Sequence, residues 1–370
     1  MASKELLKSI QPLLTISRLS GFFLFSIKPN SEVIEISLFD IASIIISSVV
    51  NLIIDVTFWY SHHSAGVHTL SMMKFTLPIL MYLNHVFIIF ASIWIFMKRY
   101  EILKFLKTLT EIDEMLVEVG SKIDHKRNEK IVKILVIGMM IAIIGSTIFC
   151  GIIHGFHGAK FDILLQAFNL WIIIGTMVIY YHLIIAVAAI SQRFAALLKS
   201  FNAIDPKKLS ILSKICELHL KLADLVENFN TMYAPVMVFY FANGFGWICL
   251  AVFGVSMYAR FDFIHYCTML CMITHSIVTI ISSSFFAKFA EKLELKREEL
   301  RRKSYGKVCE FGESFEFCAK MTQLQAQIND IGLTVSCGFF DVNWKFVFRF
   351  FSAGIMYFII LVQFENSLTK

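Results

Sequence analysis

The chain has 370 residues, of which 57% are hydrophobic, 17% are charged and 37 are phenylalanine. Soluble proteins carry about 45–50% apolar and about 25% charged residues, so this composition excludes a disordered chain, a disulfide-stabilised secreted domain and an ordinary cytosolic enzyme. The net charge of +6 comes from short segments between apolar runs, which is typical of membrane-protein loops and not of a nucleic-acid-binding face. We therefore predict one polytopic all-α membrane domain.

A transmembrane helix needs about 20 mostly apolar residues, and seven segments meet that requirement. The second, fourth and fifth contain no Asp, Glu, Lys or Arg, whereas the first holds Asp40, Asn51 and Asp55. We expect no cleavable signal peptide, because Pro12 and Arg18 interrupt the first apolar stretch. The predicted spans are 37–60, 75–97, 131–155, 163–191, 233–259, 261–286 and 344–364.

The basic residues predict the orientation of these spans. The segments 1–36, 98–130, 192–232 and 287–343 together carry 27 Lys and Arg residues, and the segments on the opposite side carry 4. Because basic residues concentrate in cytoplasmic loops, we expect the N-terminus in the cytoplasm and the C-terminus outside the cell. None of the eight cysteines lies in a predicted outer loop, so no external disulfide is implied.

The three longer cytoplasmic segments each carry an apolar stripe whose members alternate spacings of three and four. This spacing predicts amphipathic helices. We expect them to project into the cytoplasm and to pack as a helical bundle; the alternative is that they lie on the membrane surface. The stripes are Ile102, Phe105, Leu109, Ile112, Leu116 and Val119; Ile211, Ile215, Leu218, Leu222, Leu225 and Phe229; and Phe317, Met321, Leu324, Ile328 and Ile331.

The sequence contains no recognisable catalytic or nucleotide-binding motif. HExxH, GxSxG, GxGxxG, CxxC and the P-loop are all missing from it. Histidines at positions 62, 63, 68, 154 and 157 crowd two outer loops but have no Cys or carboxylate at ligand spacing. We therefore expect no enzyme activity, no cofactor and no metal site.

Polar side chains inside predicted spans are costly, so each is a weak indication of function, although most such groups form hydrogen bonds between helices. They are Asn51, Asp55, Asn84, His85, His182, Asn243 and His275. The outer halves of helices two to six also carry aromatic and polar groups, which suit a small organic ligand but also serve as lipid-interface anchors. The candidate pocket residues are Tyr82, Gln166, Asn169, Trp171, Trp247, Tyr258, His265 and Tyr266.

The last predicted helix carries no charge after Arg349, yet it ends in Gln363. An amide at that depth needs a partner or water, and a water-filled pore supplies water. The stretch Tyr357–Phe364 resembles the signature of insect gustatory receptors, in which Thr-Tyr, five hydrophobic residues and Gln-Phe stand near the C-terminus. The segments 338–343 and 12–21 resemble the corresponding parts of that family.

Two positions depart from the family pattern. Met356 stands where the family usually has Thr, which is a mild change. Phe358 stands where the sugar-receptor group of the family usually carries Glu, which argues against membership in that group. The middle of the chain resembles the family only in its size and in the number and orientation of its predicted spans.

The resemblance implies a tastant-gated, non-selective cation channel in the plasma membrane of gustatory or other chemosensory neurons. It implies a homotetramer, or a heteromer with other gustatory receptors, in contact with membrane lipid and without nucleic acid. Within it, 1–36 is a cytoplasmic segment, 37–286 a six-helix ligand-sensing bundle, 287–343 a cytoplasmic assembly segment and 344–370 the pore helix with a short tail. The implied pore and gate residues are Tyr357, Ile359, Val362, Gln363 and Phe364.

Three other classes of membrane protein are alternatives to a gustatory receptor. An odorant receptor of the same superfamily is the main alternative. A G-protein-coupled receptor has its N-terminus outside and usually an Asn-Pro near the end of helix seven, and helix seven here has no Pro. A transporter often shows internal repeats, and we find none. The sequence leaves the tastant open.

Overall fold

The computed structural model describes residues 2–19, 26–27, 34–35, 42, 45, 49, 71–126, 128–138, 141, 145, 163–205, 209–256, 263–311 and 315–368. The predicted spans 37–60 and 131–155 lie largely outside these residues. Within the described part the chain is mostly helical. Residues 119–124, 203–205 and 331–343 connect helices, with an isolated bridge between Ser336 and Asp341, and there is one short antiparallel sheet. In that sheet β1 (Ser26–Ile27) pairs with β2 (Ile34–Glu35).

Eight long helices account for most of the described chain. They are α1 (Ala2–Leu19), α2 (Ser71–Met97), α3 (Arg99–Glu118), α4 (Ile163–Asn202), α5 (Leu209–Ser256), α6 (Phe263–Phe311), α7 (Phe315–Asp330) and α8 (Trp344–Leu368). Residues 128–138 are also helical. By length and composition, four described stretches can cross a membrane: Ile174–Asn202, Leu209–Phe253, Ile273–Cys309 and Trp344–Phe364. The prediction of an all-α membrane fold is confirmed.

The three longest helices do not end where the predicted spans end. The structure continues α4 beyond residue 191, begins α5 well before residue 233 and continues α6 beyond residue 286. With 40, 48 and 49 residues and a rise of about 1.5 Å per residue, these helices are far longer than a bilayer core of about 30 Å. Each therefore joins an apolar half to a polar extension without a break.

The polar extensions pack together into one layer. We call it the extension layer: α3, α7 and residues 192–202, 209–232 and 287–311. The predicted apolar stripes fill its interior, where all members are buried except Ile211 and Ile331, which are partly buried against the same core. The amphipathic helices expected in these segments are thus present and pack against one another, as the bundle interpretation requires.

Pro235 lies inside α5, close to the point where the extension layer meets the apolar half. Proline has no N–H, so the carbonyl of Thr231, four residues earlier, loses its usual helical hydrogen bond. The helix nevertheless continues through this position. Pro235 therefore marks a point in α5 at which the helix can bend between the two halves of the chain.

Candidate ligand cluster and pore helix

Four helices bring polar side chains together inside the apolar half. Asn243 of α5 donates a hydrogen bond from Nδ2 to Oδ1 of Asn84 on α2, at 2.6 Å, and both side chains are buried. Pairing is what a buried amide requires, and it ties α5 to α2. The expected interhelical hydrogen bonding is thus found for these two residues.

A second set of contacts surrounds Trp247, which is 3% exposed. Its ring lies 4.6 Å from that of His275 on α6, and Ser276 Oγ donates to the Trp247 carbonyl at 2.9 Å. His275 Nε2 lies 3.4 Å from Thr176 Oγ1 on α4. We call Asn84, Thr176, Asn243, Trp247 and His275 the ligand cluster.

Some polar atoms of the ligand cluster have no hydrogen-bond partner among the described residues. These atoms are the Trp247 indole Nε1, the Asn243 Oδ1 and the Asn84 Nδ2. An unsatisfied buried donor or acceptor costs about 1–3 kcal/mol. A water or a polar small molecule that supplies the missing partners would recover that free energy.

The tyrosines next to the ligand cluster are, by contrast, fully paired. Tyr180 OH lies 3.2 Å from Thr279 Oγ1, and Tyr240 OH lies 2.8 Å from Ser283 Oγ. The two tyrosine rings meet edge to face with centroids 4.1 Å apart. Their hydroxyls are satisfied within the protein, so this layer supports the cluster structurally.

Glycines allow the helices to pack closely around the cluster. A Cβ on Gly175 would lie 3.0 Å from Ile88 Cδ1, and one on Gly246 would lie 2.5 Å from Leu80 Cδ1. A Cβ on Gly244 would collide with Cγ2 of Thr279. Small residues at these positions allow the backbones to approach, as is common in membrane bundles.

The structure brings only part of the predicted pocket together. Trp247 lies in the ligand cluster, whereas Tyr82 is 60% exposed on the outer face of α2. The backbones of the remaining candidates on α4 and α6 are described but their side chains are not, and Tyr258 lies outside the described residues. Those candidates are Gln166, Asn169, Trp171, His265 and Tyr266.

Sequence reasoning did not select Thr176 or Tyr180, although both face the same interior. Threonine and tyrosine are ordinary residues of membrane helices, and neither carries a charge that marks it. The sequence marks Asn84, Asn243 and His275 as polar groups within predicted spans, but it does not show that they lie near Trp247. The periodicity of α4 and α5 places residues on helix faces, but it does not say which faces meet.

Helix α8 differs from the other apolar helices in its packing. In the chain alone, 11% of its apolar stretch is buried, against 67% for the stretches of α4 and α5. It contacts α5 along one side, where Gly354 faces Ile248 and Phe245 and the Tyr357 ring lies 5.3 Å from that of Phe245. An apolar helix with so little intramolecular cover must face lipid or other protein chains.

The opposite side of α8 carries a stripe that is polar at both ends. Its members alternate spacings of three and four and are all exposed: Arg349, Ser352, Met356, Ile359 and Gln363. Among the other residues predicted for the pore, Phe364 and Tyr357 are more than half exposed and Val362 is partly buried.

The segment between α7 and α8 is fastened to α5. Asn230 donates from Nδ2 to the Thr334 carbonyl at 2.9 Å and accepts from the Ser336 N–H at 3.0 Å. The Phe340 and Phe346 rings stack with centroids 4.0 Å apart. Asn343 accepts a hydrogen bond from the Phe346 N–H at 2.9 Å and so caps the start of α8. These contacts connect α5 to the base of α8.

The extension layer contains a buried ion pair that the sequence did not indicate. Arg193, with no exposed surface, donates to Asp113 Oδ2 at 2.6 Å, and His125 Nε2 lies 3.4 Å from the same oxygen. Burial raises the pKa of Asp113, and the Arg193 charge opposes that rise. Burial likewise lowers the pKa of His125, against the attraction of Asp113.

No group of three or more His, Cys, Asp or Glu side chains in the described residues is arranged to hold a metal ion. The outer-loop histidines considered above lie outside those residues.

Long helices that join an apolar bundle to a polar layer, with one little-buried terminal helix, define an all-α membrane protein. A family model described as 7tm Chemosensory receptor matches residues 10–367, so the chain belongs to that family. The match confirms the predicted resemblance at the level of the insect chemosensory receptors. The family is one of receptors and not of enzymes.

Solved structures show the same fold. The insect olfactory receptor OR5 from Machilis hrabei is 14% identical, with a TM-score of 0.64 over 96% of this chain and 97% of that one. The structure of that receptor in complex with eugenol is 14% identical, with a TM-score of 0.58 over 98% of this chain and 100% of that one. None of the curated proteins matches this chain significantly.

Proposed function

We propose that this chain is a gustatory receptor, a tastant-gated, non-selective cation channel in the plasma membrane of chemosensory neurons. The observation that carries the proposal is the state of α8, which is apolar but only 11% buried. Four copies, or copies of related receptors, arranged around a central axis would cover these helices. Their polar-ended stripes would then line a pore.

In the closed channel, apolar side chains of α8 would exclude water and block ions. Opening would replace them at the constriction with Gln363, whose amide can replace part of an ion's hydration. Tyr357 would set α8 against α5 through its contact with Phe245, while Ile359, Val362 and Phe364 would form the apolar gate. A tastant opens the channel only if it binds the open conformation more tightly than the closed one.

The ligand cluster would receive the tastant. Its unpaired indole N–H and amide oxygen would suit a small molecule with an acceptor such as a carbonyl or ether oxygen and a donor such as a hydroxyl group. The aromatic faces of Trp247 and His275 would cover its apolar part. That a related fold has been solved with eugenol bound supports a small organic ligand.

The assignment to taste depends on the stretch Tyr357–Phe364, which follows the gustatory signature apart from Met356 before it. The alternative, an odorant receptor, shares the fold and the channel mechanism. The two differ in the ligands they answer to and in the neurons that express them, so a ligand panel must contain volatile as well as soluble compounds.

The experiment is whole-cell recording in a heterologous cell, with G-protein signalling blocked, during a panel of sugars, bitter alkaloids, amino acids and volatile phenols. Gln363→Glu is recorded alongside. Gln11→Glu, the same change on the exposed face of α1, is the matched control. Surface expression of each variant is measured by biotinylation.

A fast cation current whose relative permeabilities change in Gln363→Glu but not in Gln11→Glu supports the proposal. A response to volatile compounds alone favours the odorant alternative. A response that disappears under the G-protein block contradicts the channel mechanism. Unchanged permeation in both Gln363→Glu and Gln363→Ala removes Gln363 from the pore.

A further inference from the structure

Two cavities lie along α1 and residues 122–138, and α4 and α6 line only the first of them. The first has a volume of about 110 Å³ and an almost entirely apolar lining, which includes Ile10, Ile131, Leu135, Ile185, Ala188 and Phe289. The second has a volume of about 450 Å³ and a lining of charged residues. Residues adjacent in sequence line different cavities, as Lys8 and Ser9 or Asn128 and Glu129 do. The two cavities are therefore neighbours along the same pair of segments.

The charged cavity has a balanced lining. Lys8, Lys122 and Lys126 face it together with Glu5, Asp124 and Glu129, and Ile123 and His125 complete the lining. Glu129 is also paired with Lys133 at 2.7 Å. An anionic group alone would meet three carboxylates, and a cationic group alone would meet three ammonium groups. A ligand that carries both charges can satisfy both sets of side chains.

The position of the cavities matches the edge of a membrane. The apolar lining comes mainly from residues 131–135, 184–192 and 285–289, with Leu6, Ser9, Ile10 and Asn128 completing it, and the predicted spans have their cytoplasmic ends at residues 131, 191 and 286. The charged lining comes only from Glu5, Lys8 and residues 122–129, and 122–129 precede the start of the predicted third span. The apolar cavity is thus at the depth of lipid acyl chains and the charged one at the depth of headgroups.

We propose that the paired cavities bind a zwitterionic phospholipid of the cytoplasmic leaflet, with an ethanolamine headgroup. The upper part of one acyl chain occupies the apolar cavity. The phosphate contacts the three lysines, and the ammonium group donates hydrogen bonds to the carboxylates. Asn128 lines the apolar cavity next to Glu129 of the charged one, and its Oδ1 has no hydrogen-bond donor among the described residues; the headgroup supplies one.

This site would act where three parts of the chain converge. The bound lipid would touch α1, the start of the predicted third span and the level of α4 and α6 at which both enter the extension layer. It would therefore hold the layer at a fixed depth in the membrane. The inference is independent of the proposed channel activity, because binding can be measured without current.

The test uses native mass spectrometry of the detergent-purified full chain, titrated with palmitoyl-oleoyl phosphatidylethanolamine or the matching phosphatidylglycerol. Ala188→Phe fills the apolar cavity, and Ala195→Phe, at a half-buried position on the same helix outside both cavities, is its control. Lys8→Gln removes one phosphate contact at an exposed position, and Lys104→Gln, an exposed lysine of α3, is its control.

We expect one phosphatidylethanolamine to bind wild type more tightly than phosphatidylglycerol binds. Excluding about two methylene groups from the cavity corresponds to a roughly tenfold weaker affinity, which we expect for Ala188→Phe. Lys8→Gln should weaken binding severalfold, and both controls should bind like wild type.

Equal binding of the two lipids, or wild-type affinity in both Ala188→Phe and Lys8→Gln, overturns the proposal. Tighter binding of phosphatidylglycerol also overturns it and indicates an anionic-lipid site. Lys8 is exposed, so Lys8→Gln gives a result even if Ala188→Phe fails to fold.

Discussion

At the scale of single residues, the buried pair of Arg193 and Asp113 has the largest expected effect on stability. Removing one member of such a pair leaves an uncompensated buried charge and typically costs about 3–5 kcal/mol. Asp113→Leu should therefore lower the thermal unfolding midpoint of the purified chain strongly. The double variant Asp113→Leu/Arg193→Met should regain most of the loss, because it removes both charges.

The control for that prediction is the exposed pair of Glu111 and Lys221, whose atoms are 3.0 Å apart. Exposed ion pairs contribute about 0–1 kcal/mol, so Glu111→Leu should change the midpoint little. An equally large effect in Glu111→Leu, or no recovery in the double variant, would contradict the assignment of the cost to burial.

His125 should make the stability of the extension layer depend on pH. Burial lowers the pKa of His125 below its ordinary value of 6.5, so the unfolded chain binds a proton more readily than the folded chain does. Stability should therefore fall as the pH drops from 7 through 6.5. The raised pKa of Asp113 acts with the opposite sign at lower pH, because there the folded chain binds the proton more tightly.

The measurement is the unfolding midpoint at pH 7.5, 6.5 and 5.5, for wild type and His125→Gln. The loss between pH 7.5 and pH 5.5 should be smaller in His125→Gln, because most of it occurs below pH 6.5, where the unfolded chain gains its proton first. An identical pH dependence in both proteins would assign the effect to other groups.

At the scale of helices, α5 and α6 approach closely at Gly244 because that residue has no side chain. Gly244→Ala places a methyl group against Cγ2 of Thr279, and overpacking of this kind costs about 1–3 kcal/mol. Thr279→Ser removes that Cγ2 but keeps the hydroxyl that Tyr180 contacts. The double variant Gly244→Ala/Thr279→Ser should thus unfold close to the midpoint of Thr279→Ser alone. Lower stability of the double variant would mean that another contact limits the approach.

The two sides of α8 should react differently with a thiol reagent applied to the proposed channel. Ile359→Cys lies on the exposed stripe, and a positively charged methanethiosulfonate there should block cation current in the open state. Val347→Cys, on the side that is buried in the chain, should be insensitive. Block at position 347 with none at 359 would reverse the assignment of the two faces.

Helix type and packing face could be predicted in the extension layer, because Leu109, Leu222 and Leu324 each stand in a stripe of period about 3.6. The ends of the helices could not. Apolar composition changes near residues 191, 233 and 286, and the predicted boundaries follow that change. The hydrogen bonds of a helix continue as long as no residue interrupts them, so α4, α5 and α6 continue into the extension layer.

At the scale of the whole molecule, the distribution of basic residues predicts the orientation in the membrane. With 27 Lys and Arg residues on one side and 4 on the other, an N-terminal epitope tag should be inaccessible to antibody in intact cells and accessible after permeabilisation. A C-terminal tag should be accessible in both. An N-terminal tag detected in intact cells would contradict an intracellular N-terminus.

The ligand cluster could be predicted from the sequence only in part. Trp247 was selected for its chemistry, but Tyr82, chosen for the same reason, points away from the bundle. Hydropathy locates a helix and its depth, whereas the choice between inward and outward faces depends on which neighbours surround it. Arg193 shows the same limit: an arginine after a span is normally solvated, and only its approach to Asp113 across 80 positions makes burial tolerable.

The proline in α5 divides that helix into two arms of unequal length. Trp247 lies 12 residues beyond Pro235, about 18 Å along the axis, and Asn230 lies 5 residues before it, about 7.5 Å. If α5 pivots at Pro235, a displacement near the ligand cluster arrives at Asn230 reduced by a factor of about 2.4. With arms of these lengths, the displacement at Asn230 is smaller than the displacement at Trp247, and the force at Asn230 is correspondingly larger. The reduced displacement would reach the base of α8 through the two hydrogen bonds that Asn230 makes to Thr334 and Ser336.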